Sequence, residues 1–314
     1  MTRLGVLLMT YGSPDSLDDM PRYLAAVRGG RPADPELVTE FRRRYEVIGG
    51  SPLIPITEAQ AAAVEAELQR RGVGALVRAA MRFSEPSIVT QMRALADAGC
   101  DEVVGVVMSP QYSELLMRGY RGALEAAAAE LGETAPRWTL APAWHRNEHF
   151  LEAVAQRVRE GLGKLPADAP VLLTAHSLPR RVAESEPEYL DQLQETAASV
   201  AERAGVPRER WHFCWQSAGH EPGEWMKPDF ADLVPELRRA GHEAVLVAPI
   251  QFLADHLEIL YDVDIGAREQ AEAAGMAFAR IESLNVMPEF IAALAEVASA
   301  ASAAPAGAGG PRGS

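Results

Sequence analysis

The run "PVLLTAHSLP" (170–179) takes a mostly apolar segment straight into His176, Ser177 and Pro179. Near the start, "LGVLLMTYGSP" (4–14) repeats the design: an apolar run, a threonine, then Tyr11, a small residue, Ser13 and Pro14. An imidazole binds transition metals and exchanges protons near neutral pH. A histidine in this place is either a core residue bonded to backbone or a working ligand or proton carrier. Its position at a strand end, in a tight turn, makes the second reading as good as the first.

A row of carboxylates follows in "DHLEILYDVD" (255–264). Asp255, Glu258 and Asp262 are spaced by three and four, so an α-helix stacks them on one face. Like charges so placed repel unless a cation or proton intervenes, and a divalent cation suits such a row. Asp255 with Glu258 also fits an N-cap and its capping-box partner, the favoured reading for Asp255. For Glu258 the decision rests on whether it faces His176.

Basic residues crowd "VRGGRP" (27–32) and "RRRYEVIGGSPL" (42–53): Arg28, Arg31, Arg42, Arg43 and Arg44. Arginine forks clamp carboxylates, although a solvated helix face accounts well enough for Arg42 and Arg43. Gly49, Gly50 and Pro52 turn the chain sharply and present Ser51. There is no GxxxxGK[ST] and no GxGxxG after the first strand, so nucleotide binding has no support. "SPQYSELLMRGY" (109–120) offers Tyr112, Ser113, Met117 and Tyr120, a surface suited to a flat apolar ligand, with core packing the better account of Met117. Trp215 and Trp225 bracket a loop that they either anchor or turn into a pocket, and anchoring is the simpler reading.

The elements that must hold these residues alternate. Apolar runs at 4–10, 75–81, 102–108, 138–141, 170–175, 211–215, 244–249 and 277–280 read as strands. Helical periodicity covers 58–71, 87–98, 115–131, 149–162, 189–204, 230–240, 256–274 and 288–298. Strands buried on both faces and alternating with helices imply parallel sheets. The expected fold is α/β, with two similar doubly wound (Rossmann-like) domains of four-stranded parallel sheet and a cleft between them. The first spans 1–160, with its last helix free to pack on the other domain. The second spans 161–298, and 299–314 is a small-residue tail expected to be disordered. Ligands of such sheets sit beyond the carboxyl ends of the strands, where Tyr11 and His176 lie.

The charge is −14, from 30 basic and 44 acidic side chains, which disfavours a nucleic-acid partner. Two cysteines, Cys100 and Cys214, form neither a zinc motif nor a disulfide framework and are expected reduced in the core. No apolar run approaches the ~20 residues that span a bilayer, and no signal peptide opens the chain. The expectation is a soluble cytoplasmic protein without a transmembrane segment.

Together "LLMTYGSP", "YEVIGGSPL", "SPQYS", "LLTAHSLP", "WQSAG…W…P" and "APIQFLADHLEILYDVD" resemble the ferrochelatase family in order and approximate spacing, across nearly the whole chain. "AHSLP" paired with "DHLEILYD" is the specific part. The likeness is greatest to the soluble, coproporphyrin-using branch of monoderm bacteria. It implies an ATP-independent metal chelatase (a lyase) of haem biosynthesis that inserts Fe²⁺ into coproporphyrin III. Iron is then a substrate, and no cofactor is obligatory. By the same resemblance His176 and Glu258 handle the iron, Tyr11 is an axial ligand of the product iron, and Arg28, Arg44, Tyr45, Ser51 and Tyr120 contact the porphyrin. Asp262 extends an outer metal path. The chain departs from the family in two places. One residue is missing between the paired glycines and Ser51, and Gly266 stands where another acid extends the metal path. Two cysteines cannot hold the four-cysteine iron–sulfur cluster of some relatives. Protoporphyrin IX as substrate, a cobalt or nickel chelatase acting on sirohydrochlorin, and a non-catalytic porphyrin or haem carrier are the alternatives. Transient contact with neighbouring enzymes of the haem pathway is a further implication.

Overall fold

The computed structural model describes residues 3–218 and 223–303. It contains two four-stranded parallel sheets. The first comprises β1 (Leu4–Thr10), β2 (Ala75–Met81), β3 (Glu102–Val107) and β4 (Arg137–Leu140), in the order β2-β1-β3-β4. The second comprises β5 (Val171–His176), β6 (Trp211–Gln216), β7 (Ala244–Pro249) and β8 (Ala277–Arg280), in the order β6-β5-β7-β8. The second order is the first repeated with each strand number raised by four, so β1 and β5 hold equivalent places. Each lies next to the point where the winding reverses, the ligand-binding position of doubly wound sheets. Tyr11 directly follows β1, and His176 is the last residue of β5.

The strands form because their residues suit burial on both faces. Every residue of β1 and β7 is buried, which an all-parallel sheet covered by helices requires. Around the first sheet lie α1 (Met20–Val27), α2 (Pro35–Val47), α3 (Leu53–Arg70), α4 (Ile88–Asp97) and α5 (Glu114–Leu131). Further along come α6 (Glu148–Leu162), the short α7 (Arg180–Ala183), α8 (Pro187–Arg203), α9 (Phe230–Arg239), a π-helix (Glu258–Ala267) running into α10 (Arg268–Ala273), and α11 (Pro288–Ala303).

The chain divides into two compact units. One runs to Pro110 and adds Glu114–Trp144 and everything from Asn285 onward; the other holds Gln111–Ser113 and His145–Leu284. The division therefore falls at 144/145 rather than 160/161, and the final helix belongs to the first unit. α6 packs on α8 and β7, and Gly161 lies so near β7 that a Cβ there would meet Leu246 Cδ1 at 2.7 Å. α11 packs on α3, β3 and β4, with the Phe290 ring 6.4 Å from that of Trp144. An apolar helix face is satisfied by either sheet, so periodicity carries no information on which one it covers.

Three further differences have local causes. The segment 256–274 is not one α-helix; residues 258–267 within it form the π-helix. α1 and α2 fill the stretch between β1 and α3, each with proline at its first turn, a placement that helix starts tolerate. α11 continues through the expected tail to Ala303, as its alanine-rich composition favours, with Ala301 buried. The rest of the tail, 304–314, lies outside the described residues. Among the described residues no helix is long and apolar enough to cross a membrane. Cys100 and Cys214 are both buried free thiols.

Candidate active site

In the second unit, β5 carries His176 to the carboxyl end of the sheet and the turn after it holds the ring. His176 Nδ1 lies 2.6 Å from the Ser177 carbonyl. A carbonyl only accepts, so Nδ1 carries the hydrogen and, in the neutral ring, Nε2 keeps its lone pair. The backbone is held as well: His176 N–H donates to Gln251 Oε1 at 3.0 Å, and Gln251 Nε2 donates to the buried Tyr189 hydroxyl. The turn is anchored by the loop carrying Trp225. Pro179 bridges to Trp225, and Met226 N–H donates to the Leu178 carbonyl at 3.0 Å. Trp215 is buried against Phe213, ring centres 5.1 Å apart. Both tryptophans thus belong to the framework; residues 219–222 of the bracketed loop lie outside the described residues.

Glu258 opens the π-helix, and its Oε2 lies 2.9 Å from His256 Nε2. His256 Nδ1 lies 2.9 Å from the Ala254 carbonyl. Both partners of this ring only accept, so both nitrogens carry hydrogen and the ring is an imidazolium. Burial alone would discharge it, but the Glu258 carboxylate and the Ala254 carbonyl outweigh burial and raise its pKa. Burial likewise pushes Glu258 up, and the charge and hydrogen bond of His256, then the nearby His176, override it and hold Glu258 down to about 2. The Phe252 ring meets both histidines edge-on, 6.2 Å from His176 and 4.6 Å from His256. The second unit thus carries an ionised carboxylate, 35% exposed at its side chain, and, at the end of β5, an imidazole whose Nδ1 is tied to a carbonyl.

Asp255 does not cap the helix, because Leu257 occupies the cap position and makes no side-chain cap bond. Asp255 instead accepts from Ser283 Oγ at 2.7 Å and lies 3.4 Å from Arg280 Nη2. Asp262 lines a cavity of about 190 Å³ together with Thr174, Gln216, Ser217, Asp229 and Gln270. Among the described residues no three His, Cys, Asp or Glu side chains converge into a metal cage.

In the first unit, Tyr11 is 41% exposed and meets Phe83 edge-on at 4.8 Å. Gly12 lets the chain turn after it, at φ 90° and hard against Ser84. The Arg82 guanidinium lies 5.9 Å from the Tyr11 ring centre, 4.6 Å from Phe83 and 5.5 Å from Tyr120, a cation held on aromatic faces. Tyr120 is buried, and burial pushes its phenol well above the usual range; Met117 is buried core. Tyr45 is also buried, on α2.

The arginines do not form one uncommitted patch. Arg43 and Arg44 both pair with Glu40, at 2.9 and 2.8 Å, and Arg42 lies 3.5 Å from Asp18. Arg28 is exposed at the end of α1. Ser51 Oγ accepts from Leu53 N–H at 3.4 Å, beyond the Gly49–Gly50 turn.

Sequence reasoning passed over His256, Gln251 and Tyr189. His256 and Glu258 are two apart, a spacing that on a helix points the side chains away from each other. They meet because His256 precedes the helix. Gln251 and Tyr189 are distant in the chain from the histidine they hold, so only "PIQF" and "EPEYL" could have flagged them, and neither has a periodic signal.

Two doubly wound parallel units with repeated strand order define the chelatase fold class. The crystal structure of the sirohydrochlorin chelatase SirB from Bacillus subtilis subspecies spizizenii in complex with cobalt superimposes with a TM-score of 0.59 over 96% of each chain, at 13% identity. A family model described as Ferrochelatase matches residues 3–302. A protein of Deinococcus radiodurans named ferrochelatase is 38% identical, covering 94% of this chain and 94% of its own. A protein of Geobacillus kaustophilus named coproporphyrin III ferrochelatase is 37% identical, covering 93% and 94%. The chain belongs to the ferrochelatase family. It is a metal chelatase of porphyrin and haem biosynthesis, a lyase whose substrates are a porphyrin and iron.

Proposed function

We propose that this enzyme inserts Fe²⁺ into coproporphyrin III, yielding Fe-coproporphyrin and two protons, with His176 and Glu258 as the residues that handle the iron and the protons. The reading rests chiefly on one observation: the Ser177 carbonyl accepts from His176 Nδ1 at 2.6 Å, which leaves the Nε2 lone pair available in the unit that also holds the ionised Glu258. Insertion must remove two pyrrole protons and deliver a cation. Nε2 is suited to accept a proton, and an imidazole with a carboxylate binds Fe²⁺ loosely enough to release it. The imidazolium of His256 keeps Glu258 charged while the site is empty. An arriving Fe²⁺ then competes with His256 for the same carboxylate, which favours transfer over storage. Tyr11, exposed at the end of β1, serves as axial ligand of the product iron. Arg28, Arg44 and Ser51 take the propionates, Tyr45 and Tyr120 complete the porphyrin-contacting set, and Asp262 lies on the outer path of the metal. The four propionates of coproporphyrin give the arginines their purpose, and the name of the Geobacillus kaustophilus relative agrees with that substrate. Iron is a substrate, and the reading needs no resident cofactor.

Steady-state insertion assays with coproporphyrin III and protoporphyrin IX test the substrate, and faster turnover of protoporphyrin IX overturns it. His176→Ala and Glu258→Gln test the roles. Each is expected to lose at least ~100-fold in kcat, the order typical of a lost general base. Full insertion by His176→Ala would leave a different residue in charge.

A further inference from the structure

Arg280, the last residue of β8, has a side chain only 13% exposed. Its Nε and Nη2 donate to the two carboxylate oxygens of Asp264 at 2.7 and 2.9 Å, a parallel fork. Nη2 also lies 3.4 Å from Asp255 Oδ1. Nη1 donates to the Ile281 carbonyl at 2.8 Å and to Ser283 Oγ at 3.1 Å, and Ser283 Oγ donates to Asp255 at 2.7 Å. One guanidinium therefore grips the chain three residues before Glu258 and again six residues after it.

The π-helix starts between those grips, and the second grip, Asp264, lies within it. Such helices rarely exceed a single turn, because i→i+5 bonding is less favourable than the α pattern. Ten residues of it need an outside restraint. If a turn relaxed to α bonding, it would shed one residue and rotate the chain before it by about 100°, the angular step of one residue in a 3.6-residue turn. That rotation would swing Glu258 off His256 and away from His176. The Asp264 fork fixes distance and plane together, as arginine does and lysine cannot. The Ser283–Asp255 link holds the other end.

We infer that Arg280 is a positioning residue for iron delivery: it clamps Asp255 and Asp264 so that the π-helix keeps Glu258 aimed beside His176. This rests on the reading that Glu258 receives the iron. The role is distinct from general stabilisation, because a loosened π-helix moves Glu258 while leaving Tyr11 and the arginines of the first unit untouched.

The test measures KM for Fe²⁺ and KM for coproporphyrin III separately in the full chain, for Arg280→Lys, Asp264→Asn and, alongside them, Glu258→Gln. Arg280→Lys keeps charge without the fork, and Asp264→Asn keeps size without charge. Both are expected to raise the Fe²⁺ KM about tenfold or more, the usual effect of losing a residue that orients a metal ligand, with the porphyrin KM within about twofold. If Glu258→Gln is inactive while both clamp variants keep the iron KM of the parent, or shift both KM values equally, the clamp has no such role. If Glu258→Gln inserts iron normally, the Glu258 reading fails and the clamp proposal falls with it. Should one clamp variant not fold, the other decides.

Discussion

Gln251 offers the sharpest test of how the site is held. Replacing it with methionine keeps the length of the side chain and removes both of its hydrogen bonds. The His176 N–H then loses its acceptor at 3.0 Å, and the buried Tyr189 hydroxyl loses the donor that Gln251 Nε2 supplies. Each bond contributes about 0.5–1.5 kcal/mol net, and an orphaned buried group raises the cost of its loss. Two bonds give about 2 kcal/mol for Gln251→Met. Removing the stranded hydroxyl should recover part of this, so the double variant with Tyr189→Phe should be less destabilised than the sum of the singles, by about 0.5–1 kcal/mol. Urea unfolding followed by tryptophan fluorescence reads the stability, and the slope with denaturant should not change. Amide exchange at His176 should quicken as its acceptor disappears. A Gln251→Met chain within about 0.5 kcal/mol of the parent, with unchanged exchange at His176, would refute the reasoning. Strict additivity of the two variants would refute the coupling.

Two other outcomes follow from local geometry. Gly12→Ala places a Cβ 2.1 Å from Ser84 Oγ and 3.1 Å from Met81 Cβ, at φ 90°. Ser84 Oγ already accepts from Ser13 N–H, so moving it costs a bond. The left-handed backbone and the overpacking together should destabilise by about 3 kcal/mol; a change in urea midpoint worth less than about 1 kcal/mol would contradict it. The Glu40 carboxyl is held down to about 2 by hydrogen bonds from Arg43 and then Arg44. A depressed carboxyl contributes stability that is present above its ordinary value of 4.5 and is lost as pH falls through about 2. Solvent screening at this surface limits the contribution to about 0.5 kcal/mol. Glu40→Gln should lower the melting temperature slightly at neutral pH, and the deficit should shrink steadily below pH 4.5. A deficit that is constant or grows with acid would mean the ion pairs are not its source.

Much of the architecture was legible because burial leaves a periodic trace. β1 and β7 are buried throughout and almost wholly apolar, as parallel strands covered on both faces are. The equivalence of Tyr11 and His176 was readable from the paired runs that end on them, and the repeated strand order bears it out. Helix assignment to a sheet was not readable: α6 and α11 have buried faces that either sheet would satisfy. The acidic row misled in detail, since spacing was converted to a face with α geometry and the segment is a π-helix. Asp255 read as a cap from its short-range pattern, yet Ser283 and Arg280, well over twenty residues on, claim it.

The amino-acid sequence by itself determined that the chain is a two-sheet parallel α/β protein and that a histidine ends the first strand of the second sheet. Those properties depend on local composition and on alternation along the chain. Only the tertiary structure decided the state of the site. The tautomer of His176, the imidazolium of His256 and the ionised Glu258 depend on which hydrogen-bond partners lie within about 3 Å. The acceptors for the two rings come from nearby backbone and Glu258, the acceptor for the His176 amide comes from Gln251, and the grip on the π-helix comes from Arg280. Hydrogen-bond partners of that kind are chosen by folding, because their separation along the chain carries no trace of their separation in space.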